Sequence, residues 1–140
     1  MNINDTKLYP GLKKMCVEEL KLSFQTVDES AVTIIIKPIG SINTYNASHF
    51  EEEVNELINQ GYIHLFFDMS NTRYVSASGI GSFLNILQRV KSFGGDIVLD
   101  RILPHVLEVF NLPGFENLFP INGVKRINRD KLSQKSLNNG

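Results

Sequence analysis

Asp68-Met69-Ser70-Asn71-Thr72-Arg73-Tyr74-Val75-Ser76-Ala77-Ser78-Gly79-Ile80-Gly81 is the stretch on which the reading of this chain turns. Before it, Ile63 to Phe67 is a short apolar run of the length expected for a buried strand, ending at Asp68. After it, Ile80, Phe83, Leu84, Leu87 and Val90 recur at helical spacing, with Ser82, Asn85, Gln88, Arg89 and Lys91 outside the stripe. The quoted segment is therefore expected to join a strand to the start of a helix. There the first backbone N–H groups lack intrahelical acceptors and the helix dipole favours negative charge. A hydroxyl at Ser78 is then exposed and well placed to carry phosphate. Serine is also a favoured N-cap, worth about 1 kcal/mol, so the simpler role for Ser78 is to cap the helix. The two roles are compatible. Gly79 and Gly81 leave the approach to the hydroxyl unobstructed, or equally reflect close packing of the helix on the sheet.

Working outward, Leu20, Leu22, Phe24 and Thr26 alternate with polar neighbours as in a strand with one face in the core. Asp28-Glu29-Ser30 turns the chain, and Val32 to Ile36 suits a strand buried on both faces, ended or bent by Pro38 and Gly40. Beyond Asn43-Thr44-Tyr45-Asn46, the positions Phe50, Val54, Leu57 and Ile58 mark a helix whose other face carries Glu51, Glu52, Glu53 and Glu56. Gly61 ends it. After the helix that follows Ser78, Gly94-Gly95 supplies a left-handed stop and Ile97-Val98-Leu99 a short strand. Pro104 suits the first turn of a helix running through Leu107 and Phe110 to Leu112-Pro113-Gly114, which leaves Leu118 to Ile121 as a last short strand. The order calls for an α/β fold, a mixed four- to five-stranded sheet with its helices mainly on one face. Residues 20–121 form one domain. Residues 1–19, with a turn at Tyr9-Pro10-Gly11, read as an N-terminal extension, and residues 122–140 as a basic polar tail.

Composition narrows the function by exclusion. With 42% hydrophobic and 21% charged residues the chain reads as an ordinary globular domain rather than a disordered or membrane-spanning one. The net charge of -1 conceals an asymmetry, +4 in residues 122–140 against -5 in the rest. The tail reads as solvated, or as a contact for an anionic partner, and no direct nucleic-acid role is expected. Cys16 is alone, so no internal disulfide forms, and a reducing cytoplasm fits. His49, His64 and His105 share no helical face, so no metal is expected, and no run approaches a membrane span. Leu84 stands where a dinucleotide fingerprint needs glycine, and no P-loop lysine follows, so no cofactor is expected. Ser78, Asp96 and His105 follow the hydrolase order, but Ser76 replaces the glycine of a nucleophile elbow. No catalytic residue and no enzyme activity are therefore expected.

Several blocks together resemble the STAS domain, shared by bacterial anti-sigma factor antagonists and the cytoplasmic tails of sulphate transporters. Asp68-Met69-Ser70 is similar to that family's Asp-Leu-Ser, and Ser76-Ala77-Ser78-Gly79-Ile80-Gly81 to its Asp-Ser-Ser-Gly-Leu-Gly. Gly94-Gly95-Asp96-Ile97-Val98-Leu99 and Phe110-Asn111-Leu112-Pro113-Gly114-Phe115 continue the likeness. The resemblance implies a cytoplasmic partner-switching protein. It would bind an anti-sigma factor that is itself a serine kinase, be phosphorylated on Ser78, and be restored by a cognate phosphatase. It implies contacts at Asn43, Thr44, Ser76, Ser78, Gly79 and the exposed helix residues Ser82 and Asn85; a weak homodimer is left open as a further association. Two departures remove a carboxylate each: Ser76 stands for an aspartate, and Gly40-Ser41-Ile42-Asn43 for Gly-x-Leu-Asp. They leave two alternatives open, a scaffold or sensor subunit that uses this surface without phosphate, and a nucleotide or small-anion binder at the helix start.

Overall fold

The computed structural model of the chain describes residues 19–27 and 29–125. Its organising strand is β2 (Thr33–Ile42), ten residues long and rich in isoleucine. β1 (Lys21–Thr26) lies antiparallel to it, Phe24 opposite Ile36. On its other side β3 (His64–Asp68) runs parallel, Ile35 opposite Phe66, and β5 (Asp96–Asp100) continues from β3 with Phe66 opposite Val98. β2 outlasts β3, and its free end pairs in parallel with a four-residue strand, β4 (Thr72–Val75), after an irregularity at Gly40/Ser41. The sheet is thus mixed and five-stranded, in the order β1-β2-β3-β5 with β4 on the extension of β2. β4 lies inside the stretch expected to be a plain connection.

The helices are α1 (Ala47–Asn59), α2 (Ala77–Ser92) and α3 (Pro104–Phe110). Ile34, Ile36, Leu65, Phe67, Ile97 and Leu99 point from the sheet into a core that also takes Phe50 and Val54 from α1 and Ile80, Phe83, Ile86 and Val90 from α2. Phe83 sits at its centre, its ring 5.1 Å from Phe50, 5.0 Å from Phe67 and 5.3 Å from Phe110. Edge-to-face and tilted contacts of this kind contribute about 0.5–1.5 kcal/mol each beyond area burial. On the opposite sheet face Ile35, Phe66 and Val98 align in one half-buried row.

That one-sided cover changes several sequence expectations. Burial alternates along β2, so Val32 to Ile36 is not buried on both faces, and Val32 itself lies outside the strand and is exposed. Phe24 is on the helix side but 45% exposed, because β1 is the outer strand. In α2, Ile86 is fully buried while Leu84 and Leu87 are only half-buried. Leu118 to Ile121 forms no strand; the chain there makes isolated bridges, Ile121 to Leu99 and Val124 to Ile102. At the end of α2 only Gly94 is left-handed, with φ of 81°. Gly95 serves close approach instead, since a Cβ there would lie 2.0 Å from the Ile63 carbonyl oxygen. Glu29 (φ 70°) takes the turn between β1 and β2. Asp28, Cys16, Tyr9-Pro10-Gly11 and the basic residues after Lys125 lie outside the described residues.

Candidate functional site

The end of β2 and the start of α2 meet through the backbone. Ser76 N–H donates to the Ile42 carbonyl at 2.8 Å, which holds Ser76 extended, with φ of -82° and ψ of 173°. From that conformation its hydroxyl accepts from Gly79 N–H at 3.2 Å, and its carbonyl accepts from Ile80 N–H at 2.9 Å. Ser76 is therefore the N-cap of α2, and Ser78 is the second residue of the helix. The capping role expected for Ser78 belongs to Ser76, because the register of α2 is fixed by the Ile42 contact two residues earlier. Ser78 is exposed, and its hydroxyl has no hydrogen-bond partner among the described residues.

The first turn of α2 holds no acidic side chain, so the positive end of the helix dipole beside Ser78 is unopposed locally. Gly79 is buried: a Cβ on it would lie 2.8 Å from Val75 Cγ1 and 2.9 Å from Ile42 Cγ2. It sets the closeness of helix and sheet, whereas Gly81 has nothing within 4 Å of a would-be Cβ. Of the two readings of these glycines, packing holds for Gly79 and an open approach for Gly81.

The Asn43–Asn46 turn follows Ile42 and forms the second wall. Asn43 Oδ1 accepts from Tyr45 N–H at 2.9 Å and Asn46 N–H at 3.1 Å, while Asn46 Oδ1 accepts from Asn43 N–H at 2.9 Å. Asn46 Nδ2 also donates to the Ser41 carbonyl at 2.9 Å, so the turn is knotted by amide side chains and α1 has no side-chain cap. Thr44 is exposed on this wall, and Tyr45 is 78% exposed.

Ser82 departs from its expected exposure. It is 5% exposed, and its hydroxyl donates to the Ala47 carbonyl at 3.0 Å, because the first turn of α1 crosses α2 at that position. It ties the two walls together rather than facing solvent. Asn85 is exposed one turn further on and donates to Glu51 Oε1 at 3.2 Å. Asn43, Thr44, Ser76, Ser78 and Gly79 are thus brought to one place, with Ser82 beneath it and Asn85 along the helix. Tyr45, in the same asparagine-rich turn, is an exposed aromatic side chain beside them that the sequence reading did not single out.

Upstream, Asp68 fastens the turn that leads into β4. Burial pushes its carboxyl up, but Ser70, through its hydroxyl and its N–H at 3.0 Å, and the charges of Arg101 and Lys37 outweigh this and hold it below the ordinary 3.8. Among the described residues no group of three or more His, Cys, Asp or Glu side chains could hold a metal ion, and no helix is long and apolar enough to cross a membrane.

This arrangement has relatives. Over 102 residues, 73% of this chain and 85% of the other, the sequence is 28% identical to the candidate anti-sigma factor antagonist BtrV of Bordetella bronchiseptica. It is 24% identical to the anti-sigma-B factor antagonist of Bacillus subtilis over 69% of this chain and 87% of the relative. The fold matches the unphosphorylated form of the anti-sigma factor antagonist SpoIIAA with a TM-score of 0.62 at 14% identity, over 83% of this chain and 96% of that one. The family model that matches residues 24–126 covers all five strands and the three helices except the first residues of β1. With a sheet, a helix start and a sequence that agree, the chain belongs to the STAS domain family, and its relatives are of the anti-sigma factor antagonist type.

Proposed function

We propose that this protein is an anti-sigma factor antagonist that works by partner switching. It binds a serine-kinase anti-sigma factor through the surface around Ser78, and phosphorylation of Ser78 ends the interaction until a phosphatase removes the phosphate. The observation that carries the reading is the division of labour at the start of α2. Ser76 satisfies the helix, so the Ser78 hydroxyl is exposed and uncommitted. The names of the relatives, which are anti-sigma factor antagonists, supply the class of partner.

The replacement of an acid by Ser76 fits this mechanism. Serine and aspartate are comparable N-caps, so the helix start is preserved while a negative charge two residues from the acceptor is removed. A phosphate on Ser78 would sit on a helix N-terminus without an acid in the first turn, where the dipole stabilises it within the protein. The same phosphate is excluded from a packed interface, because its charge of roughly -1.5 to -2 would have to be desolvated there. Thr44 and Tyr45 on one side and Asn85 on the other provide the exposed contacts, with Tyr45 as the aromatic anchor. In this reading the protein binds and is modified, and catalyses nothing itself.

The test is binding of full-length protein to the serine-kinase anti-sigma factor of its own cell. Ser78→Ala is expected to bind within about threefold of wild type, and Ser78→Asp to lose more than about a hundredfold, near 3 kcal/mol. Equal affinity for all three would remove the switch and leave a scaffold that assembles without phosphate.

A further inference from the structure

The three parallel strands at the middle of the sheet each carry a run of apolar residues: Ile34-Ile35-Ile36 in β2, Leu65-Phe66-Phe67 in β3 and Ile97-Val98-Leu99 in β5. Because side chains alternate along a strand, each run gives its outer two residues to the helix side and its middle one to the other face. Ile35, Phe66 and Val98 are in register, so the middle residues form one apolar row across that face. Parallel strands of this composition are normally covered on both sides. Here the three helices bury their apolar residues in the core on one side, and among the described residues no helix lies over the row.

The flanks of the row decide what can cover it. On one flank His64 and Asp96 are paired, Nδ1 to Oδ1, at 2.9 Å. On the other are Lys37, Asp68 and Asp100, and Asp68 stands directly opposite Asp100, a juxtaposition of like charges that disfavours the pairing. Arg101 approaches Asp68 at 3.9 Å, while Asp100 accepts from the neutral Asn122 side chain at 3.2 Å. A second copy of the chain would set these aspartates against their own kind. Residues 126–140 carry the right charge, but their apolar side chains are just Ile127, Leu132 and Leu137, spread over eleven positions. Residues 1–18 meet both needs. Leu8, Tyr9, Leu12, Met15, Cys16 and Val17 fall within ten positions, and Lys7, Lys13 and Lys14 outnumber Asp5 and Glu18. This segment leads into Glu19, which lines one hollow with Ile39, four residues along β2 from Ile35 and on the same face by alternation. Crossing from β1 to β5 takes about 15 Å at about 4.8 Å per strand, whereas ten extended residues reach about 33 Å.

We propose that residues 1–18 fold back from Glu19 over this face, laying the apolar side chains between Leu8 and Val17 on Ile35, Phe66 and Val98. Lys13 and Lys14 then offset the acidic flank at Asp68 and Asp100, and the parallel strands are covered on both sides. The segment docks on the face opposite the helices. Ser78, at the start of α2, is left free, so the inference stands apart from the switch.

The experiment attaches a nitroxide to Cys16, the one cysteine of the chain, and reads paramagnetic broadening of the amide NMR signals of the isotope-labelled full chain, with the reduced nitroxide as reference. A second label, at Lys13→Cys in a Cys16→Ser chain, covers the case in which a label on Cys16 itself displaces the segment. Both labels are expected to cause loss of the Ile35, Phe66 and Val98 amide signals, with weaker effects at Glu52 and Gln88 on the outer faces of α1 and α2. The signals should return when Leu12→Asp and Met15→Asp are introduced together, substitutions that lie outside the folded domain. No broadening of the row from either label, broadening centred on the helices, or indifference to the two aspartates would each overturn the proposal. So would equal broadening in a mixture of nitroxide-bearing unlabelled chains and isotope-labelled chains without nitroxide, which would make a second copy the occupant.

Discussion

Two helix starts meet beside Ser78, and they are held by different means. The start of α2 is held by close packing and backbone: Gly79 lies against Ile42 and Val75, and Ser76 is clamped by the Ile42 carbonyl. The start of α1 is held by amide side chains, Asn43 and Asn46 bonding into each other's backbone and that of Ser41 and Tyr45. The first kind of support leaves no room for adjustment, and the second can be exchanged side chain by side chain. The phosphoacceptor candidate is on the unyielding wall and the exposed aromatic Tyr45 on the adaptable one. The proposed switch would need its acceptor at a fixed position, and side chains on the opposite wall can vary without moving it.

Each side of this contrast can be broken. Gly79→Ala should cost the most, about 1–2 kcal/mol in urea unfolding, because overpacking against Ile42 and Val75 outweighs the gain in helix propensity. A neutral result would mean that the α2 start can retreat from the sheet. Ser76→Ala should cost about 1 kcal/mol through the lost cap. Gly81→Ala, with nothing near its Cβ, should instead stabilise by about 0.5–1 kcal/mol. Ser78→Ala should stay within about 0.5 kcal/mol of wild type, since the residue is exposed and caps nothing. If Ser78→Ala were the more costly of the two serine variants, the cap assignment would be reversed.

A smaller effect tests the turn that leads into β4. The Asp68 carboxyl is held below its ordinary value in the folded protein, so the unfolded chain binds its proton more readily. Its contribution is present above that ordinary value of 3.8 and is lost as pH falls through the lower folded value. Stability of wild type should therefore decline more steeply on acidification below about pH 5 than that of Asp68→Asn, by well under 1 kcal/mol for this partly solvated group. Parallel acid limbs for the two proteins would show that Ser70 and Arg101 do not favour the carboxylate.

What the sequence made legible, and what it did not, follows from how local each feature is. β3, α1 and α2 announce themselves through periodic runs such as Phe50, Val54 and Leu57 or Ile80, Phe83 and Val90. β4 does not, because Thr72-Arg73-Tyr74-Val75 is too short for a period and exists only because β2 outlasts β3. Ser82 looked like a surface residue because its burial is decided by α1, some thirty residues away. The strand-to-helix junction was legible as a place, from serine and glycine between a strand run and a helix stripe. Which serine caps was not, since two serines two residues apart offer the same chemistry, and the deciding hydrogen bond comes from Ile42.

The most direct test of this division of labour is phosphorylation itself. Wild-type, Ser76→Ala and Ser78→Ala proteins would be incubated with the serine-kinase anti-sigma factor and analysed by intact mass and peptide mapping. The account predicts one phosphate on wild type and on Ser76→Ala, mapped to Ser78, and none on Ser78→Ala. Phosphate mapped to Ser76, or no phosphate on the wild-type protein, would contradict it.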